Sequence, residues 1–238
     1  MLVIIAGKQD QSARWLAERW SRFGAELLSP SDLSLPGWRH YVAVASGDTA
    51  VINRQAVPVE KITGVLTRLV CVSEHELMHI VPADRAYVAA EMTAFLLSWL
   101  SGLSCPLLNR PTPTCLSGCD WRSEQWIYLA TLLGIPVITV RRHAKCPEEV
   151  STSSSIDSFD TITVIGERCI GASDERQAAY ARRLAAAAGV DLLAVHFRTV
   201  GGEPRLLTAD PWPDITSAEV ADGMLEYFQR SCAWEVVN

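Results

Sequence analysis

The sequence predicts an α/β protein, and three features carry that prediction. A continuous apolar run at Leu2 to Ala6 leads into a segment whose Ala13, Leu16, Trp20 and Phe23 recur at the spacing of one buried helical face. Strand-like and helix-like segments then continue to alternate. Near the end, the runs Leu192 to Thr199 and Arg205 to Ala209 flank Gly201-Gly202, the residue pair a tight hairpin turn demands. With 49% hydrophobic residues among 238, the chain has ample material for a core.

Taken in order, Glu26 to Leu28 reads as a second strand, stopped by Ser29-Pro30. Tyr41 to Ala45 and Ala50 to Asn53 read as a hairpin around Gly47-Asp48. Val65 to Val70 is a further central strand carrying one charge, Arg68, and Asp84 to Leu100 is a helix bearing Tyr87 and Glu91 one turn apart. Buried charge is normally paired, so Arg68 is expected to meet Glu91. The segment Asp120 to Leu133 is a helix with Trp126, Leu129, Ala130 and Leu133 on one face, followed by Gly134-Ile135-Pro136 and a strand at Val137 to Val140. Thr161 to Cys169, with Ile170-Gly171-Ala172, reads as a strand pair. Asp174 to Gly189 is an Ala-rich amphipathic helix with Tyr180, Leu184 and Ala188. The second arm of the Gly-Gly hairpin runs into Asp210-Pro211-Trp212-Pro213, where proline supplies no ladder N–H and the sheet must end. A terminal helix, Ser217 to Cys232, turns Val220, Met224, Tyr227 and Phe228 inward.

A net charge of -6 gives no general attraction to nucleic acid or acidic membranes. The greasiest stretch, Met92 to Leu103, is interrupted by Thr93, Ser98, Ser101 and Gly102 and reads as a buried helix rather than a membrane span. The opening MLVIIAGKQD has neither a basic leader nor a small-residue cleavage site, so it reads as a strand, and a cytoplasmic protein is expected. Seven scattered cysteines fit reduced thiols better than a disulfide framework. Cys115 and Cys119 stand at zinc-like spacing, but two thiolates are half a zinc site; with His143 and Cys146 they match no finger pattern and read as core. No GxSxG, P-loop or HExxH motif is present.

The segment Gly189 to Pro213 resembles the C-terminal hairpin of the ATP-grasp ligases, of the glutathione-synthetase and ribosomal-protein-glutamate-ligase type. Gly189-Val190-Asp191, Gly202-Glu203 and Pro211 match that family's pattern. Pro106-Leu107-Leu108-Asn109-Arg110-Pro111 is similar to the N-x-P element closing the family's preliminary domain, and Asp120 to Val140 is similar to its K-x-x-Q-L…G-x-x-V-P-x-T element. The resemblance implies a Rossmann-like preliminary domain, residues 1–113, joined to a reduced C-terminal ATP-grasp-like portion, residues 114–238, with a flexible segment at 141–160. It covers Val65 to Val140 and Thr161 to Phe228.

The family's functional positions are changed. Its metal-binding Asp falls on His196, its metal-binding Glu on Thr208 and its Asn on Asp210, where magnesium would require hard oxygen ligands. The nucleotide-site Lys falls on Ser123, between Arg122 and Glu124. Between Val140 and Thr161 lie only twenty residues, fewer than the ~30 of a single βαβ unit, so the family's nucleotide-binding subdomain has no room. The resemblance therefore implies a pseudoenzyme: a non-catalytic binding or scaffolding protein, a partner of an active ligase in a peptide-modifying or other biosynthetic pathway, with no cofactor expected. Arg68, Asn109, Arg110, His196, Thr208 and Asp210 are the candidate ligand-binding residues. The alternative is a divergent ligase-like enzyme holding a nucleotide or amino-acid-like ligand in the residual cleft, with ATP and magnesium as cofactors and His196 and Asp210 as catalytic residues. Losing a subdomain should also uncover the sheet face at Ile162 to Ile165 and Leu192 to Phe197, which a homodimer or another partner protein would have to cover.

Overall fold

A parallel sheet buried on both faces must be apolar at every strand position, and the computed structural model, which describes residues 1–42, 47–138 and 159–235, places the all-apolar first run in such a sheet. Strand β1 (Leu2–Ala6) leads through helix α1 (Gln11–Arg19) to β2 (Ala25–Leu28). Strands β3 (Thr49–Ile52) and β4 (Gln55–Pro58) form a hairpin, and β5 (Gly64–Arg68), helix α2 (Arg85–Gly102) and β6 (Leu107–Leu108) complete the first half. The sheet runs β2-β1-β5-β6, all parallel. Alternation sends Leu2, Ile4, Ala6 and Leu66 to one face with Ala13 and Leu16 of α1. Val3, Ile5 and Val65 go to the other, with Leu96, Trp99 and Leu100 of α2.

The second half holds α3 (Ser123–Leu132), β7 (Asp160–Ile165), β8 (Arg168–Ile170), α4 (Glu175–Ala188), β9 (Leu192–Val200), β10 (Glu203–Asp210) and α5 (Ala218–Glu235). Its sheet is antiparallel, in the order β10-β9-β7-β8. Gly201 and Gly202 have φ of 62° and 80°, the left-handed values of a type I′ turn that side-chain-bearing residues resist.

Helix α5 joins the halves. Phe228, 1% exposed, lies on Gly64 of the parallel sheet, where a methyl group would overlap its Cδ1 and stand 2.9 Å from Cγ. A methyl on Gly223 would stand 2.9 Å from Ile170 Cδ1 and 3.0 Å from Ile165 Cδ1 of the antiparallel sheet. Both glycines therefore set how closely α5 can approach.

Three expectations change, and a fourth falls largely outside the described residues. The α1 helix ends at Arg19 and Gly24 turns left-handed, so Trp20 is buried but Phe23 is not. The β3 strand forms its ladder with Gln55–Pro58, the next segment along, and on the Tyr41 side Thr49 makes an antiparallel bridge to Arg39; residues 43–46 of the expected first arm lie outside the described residues. Val137 makes a bridge to Leu206, while Val140, His143, Cys146 and the expected flexible segment up to 158 also lie outside them. The sheet face at Ile162 to Ile165 and Leu192 to Phe197 is covered. Ile162, Val164, Leu193, Val195 and Phe197 pack under Trp126, Ala181 and Leu184. Ile165 and Leu192, on the other side, pack with Ala221 and Met224 of α5. An uncovered apolar face is therefore no basis for a homodimer.

Candidate functional site

Residues two apart on a strand share a face, and residues paired across a ladder share it too. His196 pairs with Thr208, and Asp210 follows Thr208 by two, so the register assembles the three candidates. They line a cleft of about 610 Å³ whose other wall is Asp120, Trp121, Arg122, Ser123 and Glu124 at the start of α3. Thr208 Oγ1 donates to Ser123 Oγ at 3.1 Å. His196 Nδ1 lies 3.0 Å from Thr161 Oγ1, and the Phe159 ring meets the imidazole edge-on at 5.1 Å. Burial lowers the His196 pKa against the raising effect of Asp210, which favours the neutral ring. Asp210 Oδ1 accepts the Trp212 N–H at 2.8 Å.

This donor set does not fit magnesium held against a triphosphate. The strands offer one carboxylate, an imidazole and a hydroxyl bonded to a second hydroxyl, and Asp120 and Glu124 on the facing wall do not close with Asp210 into the cluster of hard anionic oxygens that is required. Among the described residues, no three His, Cys, Asp or Glu side chains converge to hold a metal. Cys115 and Cys119 are buried, and burial pushes the Cys119 thiol up to about 11.

Arg68, Asn109 and Arg110 lie outside the cleft lining. Arg68 pairs with Asp10, Nε to Oδ2 at 2.8 Å, and not with Glu91. The reason is facial. Arg68 shares the side of β5 occupied by Leu66, toward α1, whereas α2, carrying Glu91, packs on the opposite side. Asp10 also caps α1, accepting from Ala13 N at 2.9 Å, and the guanidinium stands 5.6 Å over the Trp212 ring. Asn109 is 2% exposed and its amide is spent on backbone: Oδ1 accepts from Asp191 N and Leu192 N, and Nδ2 donates to Leu192 O. Held so, the side chain ties the strand end at Leu108 to the start of β9. Arg110 is exposed and lies near Tyr227, whose hydroxyl burial and Asp191 hold in the protonated form against the weaker opposing effect of Arg110.

Replacing Arg68 by Ala should cost roughly 1.5 to 3 kcal/mol, the range for hydrogen bonds to charged groups in a partly exposed pair. Differential scanning fluorimetry should then show Tm lower by roughly 3 to 12 °C, with Glu91→Ala unchanged. An equal fall in Glu91→Ala would contradict the Asp10 assignment.

His40 Nδ1 lies 2.7 Å from Asp48 Oδ2, and its Nε2 lies 2.9 Å from Ser98 Oγ, the atoms of a nucleophilic relay. Ser98, however, lies inside α2, where backbone N–H groups are consumed by the helix and cannot receive an oxyanion. The arrangement acts as a clamp, fastening His40 and Asp48 to α2.

No family model matches the sequence, and no curated protein does. Solved structures do. The macrocyclase MdnC from Microcystis aeruginosa MRC, bound with precursor peptide MdnA, superposes with a TM-score of 0.67 at 12% identity, over 97% of this chain and 99% of that one. The ATP-grasp ligase PsnB, complexed with precursor peptide PsnA2 and AMPPNP, gives 0.65 at 11% identity over 96% and 98%. A RiPP-associated ATP-grasp ligase from Chryseobacterium gregarium, in complex with ADP and a leader and core peptide, gives 0.63 at 9% identity over 98% and 96%. The protein therefore has an ATP-grasp-like α/β fold. No helix among the described residues is long and apolar enough to cross a membrane.

The sequence missed Asp10 as the Arg68 partner, although Asp before a helix is a capping signal that marked its position. It also missed the wall formed by Asp120 to Arg122, which has no motif of its own.

Proposed function

We propose that this protein is a non-catalytic member of the peptide-modifying ATP-grasp world: it binds a peptide and presents it to an active ligase partner. The observation that carries the reading is the cleft chemistry. His196, Thr208 and Ser123 stand at positions where the family's two metal carboxylates and its lysine would be, and Thr208 and Ser123 are bonded to each other. The similar structures named above contain precursor or leader peptides, which supports peptide as the ligand class.

A second reading has one observation in its favour. His196, Asp210 and Arg122 share one cleft, the ingredients of a residual enzyme for a nucleotide or amino-acid-like ligand, with ATP and magnesium. Two measurements separate the readings. Random dodecapeptides displayed on phage and selected against the immobilised protein should yield sequences that bind in solution with roughly micromolar Kd by fluorescence polarisation. Calorimetry with Mg-ATP should show no binding in that range. Micromolar Mg-ATP binding, lost in Arg122→Ala and His196→Ala, would establish the second reading instead.

A further inference from the structure

A separate cleft of about 740 Å³ opens at the carboxyl end of the parallel sheet, lined by Lys8, Gln9, His75, Glu76, Met78 and His79. Its position has a topological cause. The chain leaves β1 for β2 on one side, and β5 is added on the other, so the loops leaving β1 and β5 part at the point where strand order reverses. Open α/β sheets bind ligands in that crevice. Lys8 and Gln9 follow β1, and His75 to His79 follow β5.

The loop after β1 is held from both sides. Glu76 Oε2 accepts the Lys8 N–H at 3.1 Å, and Arg14 donates to the Lys8 carbonyl. A methyl group at Gly7 would stand 2.6 Å from Glu76 Oε1, so the bare glycine is what admits the carboxylate. The Lys8 ammonium and the Gln9 amide have no hydrogen-bond or ion-pair partner among the described residues. Each imidazole has one nitrogen engaged, His75 Nδ1 with Ser73 Oγ and His79 Nε2 with Ser34 Oγ, leaving the other available. Met78, 66% exposed, adds apolar surface.

These groups specify a ligand chemistry. One ammonium, one amide and two imidazole nitrogens can satisfy a carboxylate. The neighbouring Glu76 would oppose the second charge of a phosphate. We infer that this cleft binds a carboxylate of a peptide, either an acidic side chain or a free C-terminus, beside an apolar residue; the inference rests on the peptide-binding reading above.

The test is a titration of the 15N-labelled full chain with three short peptides. The first is Ala-Leu-Glu-Leu-Ala blocked at both ends, the second its blocked Gln counterpart, and the third the Gln peptide with a free C-terminus. Amide shifts at Gly7 to Asp10 and Ser73 to His79 are expected with the Glu peptide, the free acid or both, which identifies the source of the carboxylate. The blocked Gln peptide should bind about tenfold more weakly, and Lys8→Gln should erase that difference without changing Tm. Equal binding of all three, or shifts confined to Ser123, His196 and Asp210, would overturn the assignment. If phage-selected peptides bind and these three do not, this cleft is wrong and the peptide reading stands. If the selection itself fails, the peptide reading falls.

Discussion

Asn109→Ala is expected to lower stability by on the order of 3 to 5 kcal/mol, counting about 1 to 3 for each buried backbone group left unmet. The side chain is 2% exposed and makes three bonds across the junction of the two sheets, to Asp191 N at 2.9 Å, Leu192 N at 2.7 Å and Leu192 O at 2.9 Å. Alanine removes two acceptor contacts and one donor at a stroke, and water has little access to Leu192. In a chain of this length Tm should fall by roughly 6 to 20 °C. Asn109→Asp keeps both N–H contacts but sets a carboxylate against the Leu192 carbonyl, so it should unfold at a temperature below wild type as well. Chemical denaturation with intact peptide affinity in the folded fraction would establish the tying role. A variant as stable as wild type that had lost peptide binding would assign Asn109 to ligand contact.

The second large effect belongs to Phe228. The ring is 1% exposed, meets Trp20 edge-on at 6.2 Å and lies on the bare backbone of Gly64. Phe228→Ala should cost about 3 to 5 kcal/mol, the usual loss for a buried aromatic. Gly64→Ala should cost about 1 to 3 kcal/mol for the opposite reason, a methyl group forced into a filled space. Because one contact carries both effects, the two changes should not add. Gly64→Ala combined with Phe228→Leu should be more stable than the sum of the single losses in urea unfolding. Strict additivity would mean that Phe228 and Gly64 are not in contact.

The architecture was legible in the sequence to the extent that it rests on local periodicity. Leu2 to Ala6 is apolar at every position because α1 and α2 cover both faces of its sheet. The Gly201-Gly202 turn could be read because only left-handed φ closes a two-residue hairpin of this kind. The same register placed His196, Thr208 and Asp210 together, since side chains repeat every two residues along a strand.

Contacts between distant segments were decided by tertiary structure alone. Arg68 chose Asp10 over Glu91 because the face of β5 it occupies looks toward α1, and sequence spacing does not say which helix covers which face. Asn109 spends its amide on backbone because Asp191 and Leu192 arrive beside it from a different sheet, which spacing in the chain does not show. The apolar face thought to be uncovered was closed by α3 and α4 on one side and by α5 on the other, and the close approach of α5 is set by the packing at Gly64 and Gly223. The sequence by itself determined most of the strands and helices and the residue types in the cleft, because each depends on residues near one another in the chain. Only the tertiary structure decided what those residues touch, because a hydrogen bond or a packing contact is chosen by proximity in space.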